Sequence, residues 1–172
     1  MRILFLALIM LLWAFVSQAQ LNNEPLYYRL ALDSANDNSV RLHVNTFIFS
    51  KNNEYFNDIA DGYTLFGYQL QPQLSYQQAN KIRIDAGLYL QQDFGNPEFS
   101  TIAPILSLKL RLSPRSYLIA GTLQGSLNHQ LIEPLYNFER VLSNRLESGL
   151  QYLYQGQKTK ADLWIDWQNA LY

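Results

Sequence analysis

The chain of 172 residues contains no cysteine. This excludes disulfide bonds, thiolate metal sites and an N-terminal cysteine that carries lipid. A glycine-rich phosphate loop is also missing from the sequence. The two histidines, His43 and His129, stand far apart and lack a clustered set of carboxylates, which is a poor pattern for a metal site. We therefore expect neither a metal nor a cofactor.

Charge of either sign is sparse. Lysine and arginine together number 13 and aspartate and glutamate 14, so the formal net charge is −1. Without a basic patch the chain lacks the electrostatic footprint of a nucleic-acid-binding protein. Tyrosine is abundant instead, with 12 residues, and so are glutamine and asparagine. This mixture is typical of a β-barrel that has aromatic girdles and a hydrated lumen.

Long hydrophobic runs are confined to the N-terminus. Met1 and Arg2 precede an apolar run over residues 3–16, and Ser17-Gln18-Ala19 follows as a small-x-small cleavage pattern. A transmembrane helix needs about twenty apolar residues, more than this run supplies. Residues 1–19 are therefore predicted to be a signal peptide that is cleaved after Ala19. The remainder divides into an N-terminal segment with a short strand and a turn, residues 20–39, and a region of strands and loops, residues 40–172.

Alternation of apolar and polar residues dominates the middle of the chain. Between residues 65 and 112, three segments carry apolar side chains at even positions. These residues are Phe66, Tyr68, Leu70, Leu74, Tyr76, Ile82, Ile84, Ala86, Leu88, Leu90, Ile102, Leu106, Leu108, Leu110 and Leu112. Because side chains of a strand point alternately to opposite faces, each segment has one apolar and one polar face. Each is about as long as the nine to eleven residues that a tilted strand needs to cross a bilayer.

Further strands are predicted at residues 40–49, 117–127, 146–154 and 161–167, with a short possible strand at 26–32. Tyr117 and Ile119 are expected on the apolar face of their strand. Trp164 interrupts a polar face and is expected near an interface or in the lumen. The fold predicted from these segments is an all-β, antiparallel up-and-down transmembrane β-barrel with apolar residues outside and polar residues inside.

Short and long connections alternate between these strands. Turns are expected at residues 78–80, 113–116 and 156–159, and long connections at 51–63, 93–101 and 129–145. Bacterial barrels have short periplasmic turns and long external loops in this order. Seven strands, or eight with 26–32, do not close a barrel with both termini on the periplasmic side. We therefore expect an incomplete barrel, either the N-terminal part of a longer one or a truncated reading frame.

The leader ending in Ala19-Gln20, the strands rich in tyrosine and glutamine, and the alternating connections resemble porin-like outer-membrane proteins of Gram-negative bacteria over residues 40–167. The resemblance implies a barrel fold and an outer-membrane location in contact with lipid, and it gives no active-site residues to transfer to this chain. The expected function is a passive channel for small hydrophilic solutes or a solute-binding barrel. A structural or adhesive surface barrel is an alternative. An outer-membrane esterase or phospholipase that uses His43 is another, but no serine lies opposite His43 in the expected register, so no enzyme is expected.

Candidate functional residues lie on the polar faces of the strands. A lumen wall of mixed charge is predicted from Arg83, Asp85, Lys109, Arg111, Glu147, Asp162 and Asp166. The expected register places Gln73 beside Asp85 and Ser75 beside Arg83. Such a wall can conduct hydrated solutes. Equally, the charges can pair with one another inside a plugged barrel, because an isolated buried charge is unfavourable.

The connection at residues 129–145 supplies a second group of candidates. Pro134 suits the first turn of a helix, and Leu135, Phe138, Val141 and Leu142 recur at helical spacing. The polar side of this predicted helix consists of His129, Glu133, Glu139 and Arg140. The connection is expected to act either as a constriction that contacts a ligand or as a structured cap.

A barrel can be distinguished from a soluble β-domain on a gel. Because all backbone hydrogen bonds of a barrel lie between its strands, we expect the folded protein to survive in detergent until it is heated. The unheated sample should then migrate differently from the boiled one. Identical migration of the two samples would favour the soluble domain.

Overall fold

The computed structural model describes residues 31–54, 62–132, 135 and 137–168. They form one antiparallel sheet in which every strand pairs with its successor. The strands are β1 (Ser39–Asn53), β2 (Tyr63–Gln78), β3 (Ile82–Asp93), β4 (Thr101–Ser113), β5 (Ser116–Thr122), β6 (Ser148–Gln155) and β7 (Lys160–Asp166). The predicted up-and-down order is confirmed. Within the described residues β1 and β7 do not pair, so the sheet is open.

The N-terminal predictions fall mostly outside this region. The signal peptide lies outside the described residues, and so does most of the short strand predicted at 26–32. Its last two residues, Ala31 and Leu32, are described and are not part of a strand. Among the described residues, no helix has the length and apolar character needed to cross a membrane.

The two faces of the sheet are inverted relative to those of a water-soluble protein. Leu42 on β1 is 66% exposed, and most of the even-numbered apolar residues of β2, β3 and β4 are exposed as well. On the opposite face Gln69 is 1% exposed, and Ser75, Arg83 and Asp85 are buried with it. A soluble sheet places its apolar face in the core. The predicted arrangement, apolar outside and polar inside, is therefore confirmed for these strands.

Strand β5 departs from this arrangement. Ile119 is fully buried and packs with Leu123 and Leu153, and Tyr117 and Trp164 lie against them. The register of β4 with β5 shifts at a bulge between Arg111 and Ser113. On the side of the bulge away from the turn, Lys109 pairs with Ile119. Paired residues of adjacent strands share a face. Ile119 thus lies on the interior face with Lys109, and the prediction that Tyr117 and Ile119 face outward is wrong.

The turn between β2 and β3 lies one residue later than expected. Gln78 pairs with Ile82, and Ala79 and Asn80 both adopt left-handed backbone conformations. Shifting the centre of a turn by one residue shifts the pairing by two. Asp85 therefore pairs with Ser75, whose hydroxyl donates to its carboxylate, and not with Gln73.

The connection between β5 and β6, residues 123–147, crosses the polar face of the sheet. Leu127 and Val141 form a second buried cluster there. The side-chain amide of Gln69 donates to the carbonyl of Val141 and that of Gln91 to the carbonyl of Leu142, both at 2.8 Å. The predicted helix is short: α1 spans Arg140–Ser143, and Pro134 lies outside the described residues.

Two consecutive residues tie this connection to different strands. One carboxylate oxygen of Glu139 accepts hydrogen bonds from Lys51, Asn53 and Tyr63, at the ends of β1 and β2. The guanidinium of Arg140 lies 3.6 Å from the carboxylate of Asp166, at the end of β7. Because these residues are neighbours in the chain, the ends of β1 and β7 approach each other. The sheet therefore curves around the connection.

Residues 31–33 cover the interior at the opposite end, where the short turns lie. Arg83 donates to the carbonyl of Ala31 at 3.3 Å, and Arg111 donates to that of Leu32 at 2.9 Å. The backbone N–H of Asp33 donates to the Gln77 side chain at 3.1 Å. Interior side chains thus bind chain segments at both ends of the sheet.

Replacing Glu139 by glutamine tests how firmly the connection is held. The substitution removes the charge that Lys51 pairs with, and hydrogen bonds to a charged group contribute about 1 kcal/mol more than neutral ones. We expect faster tryptic cleavage within residues 123–147, because cleavage follows the population of the open form. Glu98→Gln, at an exposed position, is the control. Equal cleavage rates in both variants would show that Glu139 does not hold the connection.

Candidate functional site

A 3₁₀ turn, Ser126–His129, follows β5 and carries His129 into the interior. The backbone is left-handed at Ser126 (φ 59°) and at Gln130 (φ 55°), the two ends of this turn. Such conformations cost non-glycine residues about 1–3 kcal/mol each and persist where the surroundings enforce them, often at functional sites. The two left-handed residues therefore indicate that this turn is a candidate functional site.

The imidazole of His129 lies between two carboxylates. Nε2 is 2.8 Å from a carboxylate oxygen of Glu147, and Nδ1 is 2.9 Å from one of Asp162. The ring of Trp164 stacks on the imidazole, with a centroid separation of 3.7 Å and an interplanar angle of 14°. Since the His129 side chain is 1% exposed, these three residues largely determine its environment.

Glu147 is anchored from the chain segment that precedes His129. Its second carboxylate oxygen accepts the backbone N–H of Ser126 at 2.8 Å. A Cβ atom at Gly125 would lie 2.6 Å from the carboxylate carbon of Glu147. A larger residue at position 125 would displace the Glu147 carboxylate, which packs directly against the backbone there.

Asp162 is anchored from β6. Its second oxygen accepts a hydrogen bond from the Gln151 side-chain amide at 2.8 Å. The same amide group is held by Gln124, whose N–H donates to the Gln151 oxygen at 3.0 Å. Asp162 and Trp164 are two residues apart on β7 and so point to the same face. One strand thus supplies both a carboxylate and an aromatic ring to His129.

These contacts set the protonation of the pair. Burial lowers the pKa of His129, but its hydrogen bonds with Asp162 and Glu147 outweigh burial and raise the pKa to about 9. Burial raises the pKa of Glu147, but the contacts with His129 and the Ser126 N–H outweigh it and hold the pKa below its usual range. At neutral pH His129 is an imidazolium that donates to a carboxylate from each nitrogen.

A cavity of about 310 Å³ lies beside this cluster. His129, Asp162 and Trp164 line it together with Leu131, Leu153 and Lys160, whereas Glu147 does not. The partner of Nδ1, Asp162, therefore borders the cavity, and the partner of Nε2, Glu147, is closed off from it. A molecule in this cavity would approach His129 from the side that Asp162 occupies.

A second group of interior charges lies on β3 and β4. Arg83 donates to the carboxylate of Asp85 through Nε at 3.0 Å and Nη2 at 2.8 Å. The Lys109 ammonium lies 4.8 Å from the ring centre of Tyr117, and the Arg111 guanidinium lies 5.6 Å from it. Arg83, Asp85 and Lys109 line a polar cavity of about 110 Å³, which Ser126 also borders.

His43 belongs to neither group. It lies on β1 opposite Gln73 and lines a cavity of about 160 Å³ with Arg41 and Arg83. Among the described residues, no group of three or more histidines and acids is arranged to hold a metal ion.

The sequence candidates thus separate into three groups. His129 comes together with Glu147 and Asp162, although His129 was expected in the connection at residues 129–145 and the two acids in the lumen wall. Arg83, Asp85, Lys109 and Arg111 lie toward the short turns, and Glu139, Arg140 and Asp166 hold the connection. Glu133 lies outside the described residues.

Sequence reasoning missed Trp164, Gln151 and Gly125 as parts of this site. The available signal was the aromatic residue at position 164 on a polar face, two residues from Asp162. The glutamine and glycine carried no such signal, because their roles arise from contacts with distant residues.

The fold and the site together define a class of protein: an all-β sheet with an apolar exterior and a histidine held between carboxylates inside. The model of the lipid A 3'-O-deacylase-type family matches residues 32–172, most of the chain. The protein belongs to this family, which is an outer-membrane protein type. No curated protein and no solved structure matches the chain significantly.

Family membership corrects one expectation from the sequence. The expectation that the protein is not an enzyme is wrong, because the family is named for an enzymatic deacylation. The expected outer-membrane β-protein type is confirmed at the level of this family, and the porin-like character stays a prediction.

The stability of the fold should depend on pH through His129. Its pKa is about 9 in the folded protein against 6.5 for the free side chain. A group whose pKa rises on folding contributes stability that is complete below its unfolded pKa and is lost as pH rises through the folded one. Thermal unfolding in detergent should therefore show a loss between about pH 7 and about pH 9.5. His129→Gln should lack this loss and His43→Gln should retain it; the same loss in both variants would contradict the assignment.

Proposed function

We propose that this protein is an outer-membrane hydrolase that releases an ester-linked acyl chain from a lipid A-type glycolipid. The observation that carries the proposal is the imidazole of His129, held by Glu147 and separated from a cavity by Asp162, in a chain of the deacylase-type family. A histidine oriented by a carboxylate is the usual acid–base element of acyl transfer.

The outer face of the sheet supports a position within a lipid bilayer. Large exposed apolar residues lie on it along every strand except β5, and a contiguous exposed apolar surface marks a contact with a membrane or a partner. Aromatic residues lie at the end with the long connections: the rings of Phe66 and Phe94 are 4.5 Å apart, and Trp167 is exposed. Aromatic residues favour the interface between lipid and water.

The chemistry proposed for the site is direct hydrolysis. Neutral His129 removes a proton from water through Nδ1 while the water oxygen bonds to the ester carbonyl carbon. When the tetrahedral intermediate collapses, the bond between the acyl carbon and the alkoxy oxygen breaks, and the same proton passes to the leaving alkoxide. The products are a fatty acid and an alcohol, and His129 is again neutral. Glu147 fixes the ring through Nε2 and stabilises the transient imidazolium.

Water is a better candidate nucleophile than Ser126. The backbone N–H of Ser126 binds Glu147, on the Nε2 side of the imidazole. Ser126 borders the 110 Å³ cavity, not the one that His129 and Asp162 line. A nucleophile must lie within hydrogen-bond reach of the base and of the carbonyl carbon at once.

A passive channel has less support as the function. Residues 123–147 cross the interior near the long connections, and residues 31–33 cover it near the short turns. An open pore would need both segments to move away. The adhesive barrel stays an untested prediction.

Replacing His129 tests the proposal directly. We expect His129→Asn to lower the release of fatty acid from lipid A in mixed micelles by about 10²- to 10⁴-fold, the usual contribution of a general acid–base group. Free fatty acid and the remaining lipid are quantified by mass spectrometry. His43→Asn is the matched control and should retain activity. Equal activity of the two variants would contradict the proposal.

The same assay identifies the nucleophile. Ser126→Ala should keep activity within about threefold, because hydrolysis by water does not need its hydroxyl. A loss as large as that of His129→Asn would assign the nucleophile to Ser126 and overturn direct hydrolysis, while leaving the protein an esterase.

An arginine on the outer face tests the position in the membrane. Leu106 is exposed at the middle of β4, and Leu112 is exposed near its end. At the middle of a bilayer-embedded barrel an arginine costs about 2–4 kcal/mol, and near the interface about 0–1 kcal/mol. Unfolding in phospholipid vesicles should therefore show a much larger loss for Leu106→Arg than for Leu112→Arg. Equal small losses would place this face in water.

A further inference from the structure

Two carboxylates on one imidazole pose a chemical problem for a general base. A base needs a nitrogen lone pair that points at the proton to be removed. In the resting protein both nitrogens of His129 lie against carboxylate oxygens, at 2.8 Å and 2.9 Å. One of the two carboxylates must therefore orient the ring, while the other occupies the nitrogen that reacts.

The Glu147 side is closed. The Glu147 side chain is 3% exposed, it accepts the Ser126 N–H, and its carboxylate packs against Gly125, where an added Cβ would lie 2.6 Å from it. No bound molecule can reach Nε2 without removing Glu147 from this packing. Glu147 is accordingly the orienting partner.

The Asp162 side is open. The Asp162 side chain is 17% exposed, and it lines the 310 Å³ cavity with His129 and Trp164. Lys160 lines the same cavity and lies two residues earlier on the same face of β7. The ammonium of Lys160 thus offers a partner of opposite charge to an Asp162 carboxylate that turns away from His129.

We propose that Asp162 is a positioning residue that holds the cavity-facing nitrogen of His129 in its protonated resting form, and that Gln151 and Trp164 keep this arrangement in place. The inference rests on the proposed function, since it assigns the reacting nitrogen of that site. Asp162 leaves Nδ1 when His129 loses its proton, and the lone pair is then exposed to the cavity.

Gln151 and Trp164 act on different parts of this unit. The Gln151 amide binds the oxygen of Asp162 that His129 does not use. Trp164 covers one face of the imidazole, where its π-electrons favour the cationic form. Glu147 is the other charged group that acts on His129. Arg140 acts on Glu147 and pairs with Asp166 of β7.

Titration of His129 by NMR tests this inference without any activity. The protein is labelled at histidine in detergent micelles, and His43→Gln identifies the two resonances. Asp162→Asn should shift the His129 midpoint to lower pH by at least one unit. Asp166→Asn, an acid on the same face of the same strand, should leave it unchanged. Trp164→Leu should also lower the midpoint, and Trp164→Phe should restore most of it.

The pH dependence of acyl release provides the second measurement. A fall of one unit in the midpoint raises the neutral fraction of His129 at pH 7 about tenfold. Asp162→Asn should therefore be about tenfold more active than the wild type at pH 7 and similar to it at high pH. Glu147→Gln should lose activity across the whole range, because the ring is no longer oriented.

The outcomes separate the two proposals. An unchanged His129 midpoint in Asp162→Asn would overturn the inference, and so would a loss of activity at every pH that matches Glu147→Gln. If Asp162→Asn shifts the midpoint while the wild type releases no fatty acid, the hold of Asp162 on His129 is supported and the proposed function is overturned.

Discussion

The structure depends on one constraint: the polar groups of this sheet have only its interior face in which to find partners. Leu42, Leu106 and Leu163 face outward and offer no hydrogen bonds. A buried polar group without a partner is unfavourable by about 1–3 kcal/mol. Glutamines, acids and bases of the interior therefore bind one another, and they also bind the chain segments that enter from either end. The connection of residues 123–147 contributes to the fold by supplying backbone carbonyls to Gln69 and Gln91.

The candidate site arises from the same constraint. After β5 the connection passes the interior face of β6 and β7, where the Gln151 amide donates a hydrogen bond to Asp162. His129 contacts Asp162 on one side and Glu147 on the other, and a protonated imidazole offsets part of the negative charge of the two carboxylates. The apolar cluster of Ile119, Leu123 and Leu153 lies beside this group, and Trp164 packs against it. A low-dielectric surrounding strengthens both ion pairs.

Much of the fold was predictable because the outer face repeats one signal. The alternation through Leu74, Ile84 and Leu108 is sufficient to define strands and the direction of their faces, since both follow from backbone geometry alone. The exceptions have local causes. A bulge before Ser113 turned Ile119 inward, and left-handed residues at Ala79 and Asn80 moved a turn by one position. Neither the bulge nor the position of the turn can be recognised from hydrophobic periodicity.

The sequence by itself determined the strands, their order and the apolar exterior, because these properties depend on neighbouring residues and on a period of two. Only the tertiary structure decided which charges meet. His129, Glu147 and Asp162 are separated by 18 and 15 residues along the chain, and no periodicity connects a 3₁₀ turn with β7. These three side chains contact one another only because residues 123–147 are held against the interior face of the curved sheet. The position of this connection is determined by contacts such as Glu139 with Lys51, which link parts of the chain far apart in sequence.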